Sequence, residues 1–148
     1  MRVESELPHP SVYLRVTIVS EILHNLIDNA FKYSPPGSPI LVRIGVGNTD
    51  ADLIVEVLDH GKGVAPEDRD RIFTQPFYRG ATGSRETAGT GLGLNLARRY
   101  AEAMGGKIWV ESAGSGQGST FIVALPYEPV PSFEAEPSAE GQLLGDKA

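Results

Sequence analysis

Two carboxamides and an ammonium fall along one side of a single amphipathic segment, Asn25-Leu-Ile-Asp-Asn29-Ala-Phe-Lys32. At about 100° per residue, with Glu21 set at zero, Asn25 falls near ~40°, Asn29 near ~80°, Lys32 near ~20° and Asp28 near ~−20°. Val19, Ile22, Leu23, Leu26, Ile27 and Ala30 take the other side, between about 100° and 240°. A helix in this register buries one side and shows the other a narrow strip of oxygen ligands and one cation. Carboxamide oxygens suit a hard cation such as Mg²⁺, and a lysine at the end of the strip suits phosphate oxygens. Taken alone, the strip is equally well an ordinary solvated helix face.

Three further segments give it company. Asp59-His60-Gly61-Lys62-Gly63-Val64 follows the alternating run Leu53 to Leu58. Gly89-Thr90-Gly91-Leu92-Gly93-Leu94 opens a helical stretch, and Gly116-Gln-Gly118-Ser-Thr120-Phe opens a final apolar run. In this order and spacing the four segments resemble the ATP-binding catalytic domain of sensor histidine kinases. That domain belongs to a wider group with type II topoisomerases, ninety-kilodalton heat-shock chaperones and mismatch-repair ATPases. The resemblance covers roughly residues 1 to 127.

Each site residue has a chemical reason beside the resemblance. The exocyclic amino group of a purine needs an acceptor, and an aspartate at a strand end supplies one where following glycines let the backbone approach. The resemblance implies that Asp59 reads the adenine, with Gly61, Gly63 and Val64 in the same turn. By itself Asp59 would also serve as an Asx-turn closing the strand. The resemblance puts the Tyr33 ring beside the adenine, against the alternative of a core aromatic at the helix end. It gives Thr120 a contact to adenine, usually through water. His60 stands where the family usually has asparagine and is read as an exposed turn residue.

At the phosphate end, Gly89-Thr90-Gly91-Leu92-Gly93 is no dinucleotide fingerprint, because no strand immediately precedes it. It is a polar loop running into a helix start, where unpaired N–H groups and the positive dipole end favour phosphate. The resemblance assigns Thr90, Gly91, Leu92 and Gly93 to nucleotide binding, with Leu92 and Leu94 anchoring the helix to the core. No Gly-x-x-x-x-Gly-Lys-Ser/Thr run exists, which excludes the P-loop class. Arg71-Ile-Phe73-Thr-Gln-Pro-Phe77-Tyr-Arg79 resembles the family's phenylalanine box, whose two aromatics fasten a lid to the core. Arg79 resembles the lid cation that meets the terminal phosphates, with Arg85 as second candidate. The two phenylalanines stand four apart instead of the usual three, and an inserted residue rotates whatever follows.

The amide at position 25 bears on the reaction. Hydrolysing members of the wider group carry a glutamate there to activate water, and an amide cannot take a proton at neutral pH. Asn25 therefore points away from hydrolysis and toward holding Mg·ATP for transfer, with Asn25, Lys32 and Arg79 as catalytic residues and Asn29 as the metal ligand. Glu21, one turn earlier, is the nearby carboxylate that would replace it as base. Positioning and charge neutralisation do most of the work in phosphoryl transfer. His9, His24 and His60 lack the context of the family's phosphoacceptor, so the chain reads as the catalytic fragment of a longer kinase. Its implied partners are the dimerisation and phosphoacceptor helices of that parent and, through it, a response regulator. The fragment is expected to be cytoplasmic and monomeric, without nucleic acid or membrane contact. The alternative is a serine kinase resembling anti-sigma factors, disfavoured by the Phe73/Phe77 box and by Gly91-Leu-Gly93-Leu.

Stepping outward to the elements, Arg2 to Leu7 and Ser11 to Val16 alternate as strands. A helix begins near Thr17, its N-cap candidate, and ends before Pro35-Pro36-Gly37. Ile40 to Val46 and Leu53 to Leu58 are strands, Pro66 opens a short helix to Phe73, and residues 74 to 90 read as a mobile loop. Leu92 to Met104 is a helix stopped by Gly105-Gly106, and Lys107 to Ser112 pairs with Thr120 to Leu125 as a hairpin. These predict an α/β two-layer sandwich: a mixed sheet of about five strands with three main helices on one face. The chain has 148 residues, no cysteine and a net charge of −6. Residues 128 to 148 hold five acids against Lys147, so the body carries only −2. That balance argues against a nucleic-acid surface, and the proline-rich acidic end reads as a disordered tail after a single domain at 1–127.

Overall fold

The computed structural model describes residues 1–7, 12–47, 52–78 and 91–129. In chain order these form β1 (Arg2–Ser5), β2 (Val12–Tyr13), α1 (Val16–Tyr33), β3 (Leu41–Val46) and β4 (Asp52–Asp59). A 3-10 turn at Pro66–Asp68 precedes α2 (Arg71–Thr74), α3 (Gly93–Ala103), β5 (Lys107–Glu111), β6 (Ser119–Pro126) and β7 (Glu128–Pro129). The main sheet has the order β1-β3-β4-β6-β5, with β1 parallel to β3 and every other pair antiparallel. It is the mixed five-stranded sheet that the alternating strands predict.

Strand parity decides which face is covered. Leu53, Val55 and Val57 of β4 and Phe121, Val123 and Leu125 of β6 are buried in the core with Ile22, Leu26 and Ala30 of α1 and Ala97 and Ala101 of α3. The opposite face carries Arg43, Glu56, Lys107, Trp109 and Glu111. Glu4, Arg43 and Glu56 stand directly opposite one another across β1, β3 and β4, at 3.5 and 3.9 Å. Opposed charges of this kind steady an exposed sheet face modestly.

Several boundaries differ from the sequence reading. α1 starts one residue earlier, at Val16, and Thr17 lies inside it, so Thr17 is not the N-cap; Arg15 holds that place without a side-chain bond. The helix depends on its buried stripe more than on a cap. The Pro66–Phe73 helix is split into the 3-10 turn and the single turn of α2, and the second strand shrinks to two residues. β2 pairs with β7 in a small separate sheet, so pairing continues through Pro129, two residues past the expected domain boundary. Residues 130–148 of the expected tail and 79–90 of the expected loop lie outside the described residues, while Thr74 belongs to α2. Among the described residues no helix is long and apolar enough to cross a membrane.

Candidate functional site

A cavity of about 140 Å³ opens between α1, the start of α3 and the adjoining ends of β4 and β6. Asn25, Asp28, Asn29, Lys32 and Tyr33 line it from α1, and Gly91, Gly93 and Leu94 from the start of α3. Asp59, Lys62, Gly63 and Val64 line it from the turn after β4, Ser119 and Phe121 from β6, with Ile72 and Tyr78 completing the wall. The polar strip of α1 is thus one wall of a cavity.

The two ends of this cavity differ in chemistry. From Asn25 to Tyr33 the helix axis advances about 12 Å. At the Asn25 end, Nδ2 donates to the Glu21 carbonyl one turn back at 2.9 Å, leaving Oδ1 turned toward α3. A Cβ built on Gly93 would stand only 2.9 Å from that oxygen, so any side chain there would push the α3 N-terminus off Asn25. The start of α3, with its positive dipole end, therefore lies beside a carboxamide oxygen, an arrangement suited to an anion with a hard cation beside it. Lys32 leans the same way: its Nζ lies 2.6 Å from Asp28 Oδ2, one turn toward the N-terminus, as helical side chains point.

At the other end Asp59 is buried, in phase with Val55 and Val57 on the covered face. Its Oδ1 accepts the N–H of Gly61 at 2.7 Å and that of Ser119 at 3.2 Å. The Asx-turn and the pocket-facing carboxylate are therefore one arrangement: one oxygen closes the turn while the residue also lines the cavity. Burial raises the Asp59 pKa above its ordinary value, and the two N–H groups and His60 oppose the rise. The turn is braced from behind by Ser112, whose hydroxyl accepts the Val64 N–H at 3.1 Å and donates to the Gly118 carbonyl at 2.7 Å. His60 is exposed, with Nδ1 3.0 Å from the Pro39 carbonyl, as a turn residue outside the cavity.

Thr120 does not line the cavity; Ser119 does. A period of two puts Ser119 in phase with Phe121, Val123 and Leu125, and Thr120 in phase with Ile122 and Ala124 on the uncovered face. Asp59 and Ser119 are register partners across β4 and β6, so the two polar groups meet at one strand end. Gly61 and Leu92 stand behind the wall, Gly61 bonding Asp59 and Leu92 flanking α3 as its N-cap, while Leu94 packs on the core. Arg79, Arg85 and Thr90 lie outside the described residues.

The phenylalanine box is only half as expected. Phe73 is buried and meets Phe121 edge to face at 6.1 Å. Phe77 is 67 % exposed and does not fasten anything to the core with its ring. It is the one non-glycine with positive φ (64°) among the described residues, and its N–H donates to the Gly91 carbonyl at 3.0 Å. The backbone thus turns left-handed at Phe77, within the box whose spacing is one residue longer than the resemblance implies. Tyr78, one position on, turns inward instead and donates to Asp68 Oδ1 at 2.5 Å.

Among the described residues no three His, Cys, Asp or Glu side chains cluster as a metal site. The donors offered are the amides Asn25 and Asn29, which fit Mg²⁺ bound mostly by phosphate and water.

The model for the histidine kinase-, DNA gyrase B- and HSP90-like ATPases matches residues 15–129. Over 125 residues the chain is 36 % identical to the sensor histidine kinase WalK of Bacillus subtilis (strain 168), covering 82 % of this chain and 20 % of that one. Over 110 residues it is 43 % identical to the sensor-like histidine kinase SenX3 of Mycobacterium tuberculosis (strain ATCC 25618 / H37Rv), covering 74 % and 26 %. The chain thus spans only a fifth to a quarter of these relatives. Among solved structures, the mycobacterial sensor histidine kinase MprB superposes with a TM-score of 0.71 at 27 % identity, covering 86 % of each chain. Full-length ShkA in complex with AMPPNP superposes with a TM-score of 0.70 at 27 % identity, covering 87 % of this chain and 26 % of that one.

Proposed function

Since the chain belongs to the histidine kinase-, DNA gyrase B- and HSP90-like ATPase family, as the catalytic domain found in sensor histidine kinases, we propose that its cavity holds Mg·ATP for transfer of the terminal phosphoryl group to a histidine on a separate dimerisation domain of a parent kinase. The observation that carries this reading is Asn25. A carboxamide, already bonded to the Glu21 carbonyl, stands against the start of α3, where hydrolysis would need a base.

The residues divide the work by position. Asp59 accepts from the adenine amino group, backed by Ser119, with Tyr33 and Val64 beside the ring. The start of α3 and Lys32 receive the phosphates, and a phosphate reaching Lys32 competes with Asp28 for the ammonium. Asn29, with Asn25 beside it, contributes amide oxygen to Mg²⁺. The metal, when bound, neutralises charge on the phosphate oxygens as the terminal group departs. Asn25 and Asn29 orient the nucleotide without taking a proton. Arg79 is proposed as the lid cation at the terminal phosphate.

The test is transfer in trans. The chain is mixed with γ-labelled ATP and a separately supplied dimerisation domain of a sensor kinase, then with one whose phosphoacceptor histidine is replaced by glutamine. Acid-labile label on the first and none on the second is expected. Label on serine of a supplied anti-anti-sigma protein would favour the anti-sigma-like reading, and steady release of inorganic phosphate with no labelled protein would overturn transfer.

A further inference from the structure

The glycine-rich turn after β4 places a lysine in the cavity wall. Lys62 Nζ lies 4.6 Å above the centroid of the Tyr33 ring, within the range of a cation–π contact. Both residues line the cavity. The roots of both are fixed by backbone packing. A Cβ on Gly61 would stand 2.6 Å from the Tyr33 carbonyl oxygen, so the turn lies directly on the end of α1. The Lys62 carbonyl accepts the Gly116 N–H, and the Gly61 carbonyl accepts that of Gly118 at 3.1 Å. Lys62 is thus held at the Asp59 end, about two turns of helix from Asn25 and the start of α3.

We propose that Lys62 is a positioning residue for the nucleoside end of the site: its ammonium holds the Tyr33 ring as one wall of the purine slot, and its charge sets affinity for the adenosine moiety, not for the phosphates. The division from Lys32 is geometric, because Lys32 turns back along α1 to Asp28 while Lys62 stays over the ring. It is chemical as well. A purine brings a flat π face and an amino donor, and this end of the cavity offers an aromatic ring steadied by a cation and a carboxylate acceptor. With one face of Tyr33 taken by the ammonium, a purine stacks on the other. This rests on the cavity being an ATP site.

The experiment is calorimetric titration of the full chain with ATP, ADP and adenosine, for the unsubstituted protein, Lys62→Met, Lys62→Arg and Lys32→Ala. Lys62→Met should weaken all three ligands by the same factor, about fivefold. Lys62→Arg, which keeps the cation over the ring, should restore adenosine to within about twofold by the same contact. Lys32→Ala should weaken ATP and leave adenosine unchanged. Loss of ATP affinity in Lys62→Met with adenosine unchanged would move the lysine to the phosphates and overturn the proposal. So would unchanged binding of all three. Failure of the unsubstituted chain to bind any of them would instead remove the ATP reading beneath it.

Discussion

Asp59 joins two opposed demands in one side chain. On the proposed reading its carboxylate accepts from adenine in the charged form, yet burial raises its pKa, so the folded protein holds this proton more tightly than the unfolded chain does. Where the native state binds more protons, stability falls as pH rises. Ionised Asp59 is therefore a cost to the fold at neutral pH, absent below the ordinary carboxylate pKa of about 3.9. Asp59→Asn keeps a side-chain oxygen for Gly61 and Ser119 but carries no charge. It should melt higher than the parent at pH 7, with the gap closing as pH falls toward about 4, while ATP affinity drops at least tenfold for the lost charge-assisted bond. Scanning calorimetry across that range with parallel titrations checks both halves; a variant that melts lower at pH 7 and binds ATP as before would refute the assignment. The sequence made Asp59, Asn25 and Asn29 legible because each follows from one period, 2 or 3.6, anchored on apolar neighbours. Ser119 was open to the same counting: Phe121, Val123 and Leu125 define the covered face, and parity selects Ser119 over Thr120. The pairing of Lys32 with Asp28 was written in their spacing too, but the stacking of Lys62 on Tyr33 was not, because it joins the last residue of α1 to a turn far along the chain, after β4.

The helix pair α2–α3 shows what an insertion does to an element. α2 is too short to stand alone. Asn95 donates to the Phe73 carbonyl at 2.9 Å and Arg98 to Asp70 at 2.8 Å, so α2 hangs on α3, the helix whose start lines the cavity. Phe73 fills the core beneath, whereas Phe77 is exposed and left-handed. Phe73→Ala should cost about 3–5 kcal/mol. Phe77→Gly relieves a left-handed strain of about 1–2 kcal/mol against a similar loss to unfolded-chain entropy, so its stability should stay within about 1 kcal/mol of the parent. Urea unfolding of the two variants measures the contrast; equal destabilisation would mean that Phe77 packs as Phe73 does. The sequence showed the extra residue but not which aromatic would yield. That choice depends on Asp68, buried ten residues upstream and placed to take the Tyr78 hydroxyl. Thr17 misled for a related reason: a good capping residue is a local preference, and α1 is held by a buried stripe further along, at Ile22, Leu26 and Ala30, that needs no side-chain cap.

At the scale of the whole molecule, the cavity opens where the covered face of the sheet meets the helices packed on it. The cavity draws on α1, α3, β4 and β6 at once, so nucleotide binding should stabilise the entire fold. At a hundredfold excess over its dissociation constant, Mg·ATP should add about 2.7 kcal/mol. A chelator should remove most of that rise, since the amides offered by the protein hold Mg²⁺ only together with phosphate and water. Thermal melts with ATP, with and without chelator, decide this; a rise indifferent to chelation would exclude the metal from the site. The covered and uncovered faces were legible from alternation alone, and so was the order of elements. The parallel placement of β1 beside β3 was not, because nothing local in Arg2–Ser5 specifies its neighbour.

The small β2–β7 sheet has its own consequence. Val12 pairs with Pro129 and Tyr13 with Glu128, so two stretches near opposite limits of the domain are direct neighbours. In topological terms the fold is nearly a ring, fastened by a two-residue clasp. A ring can be opened elsewhere without changing what lies inside it. β1 precedes the clasp and lies along β3 in the main sheet, so the ring runs from β2 round to β7 and carries β1 as a side branch. The clasp therefore couples the stretch that enters α1 to the stretch that leaves β6, and with them two walls of the cavity.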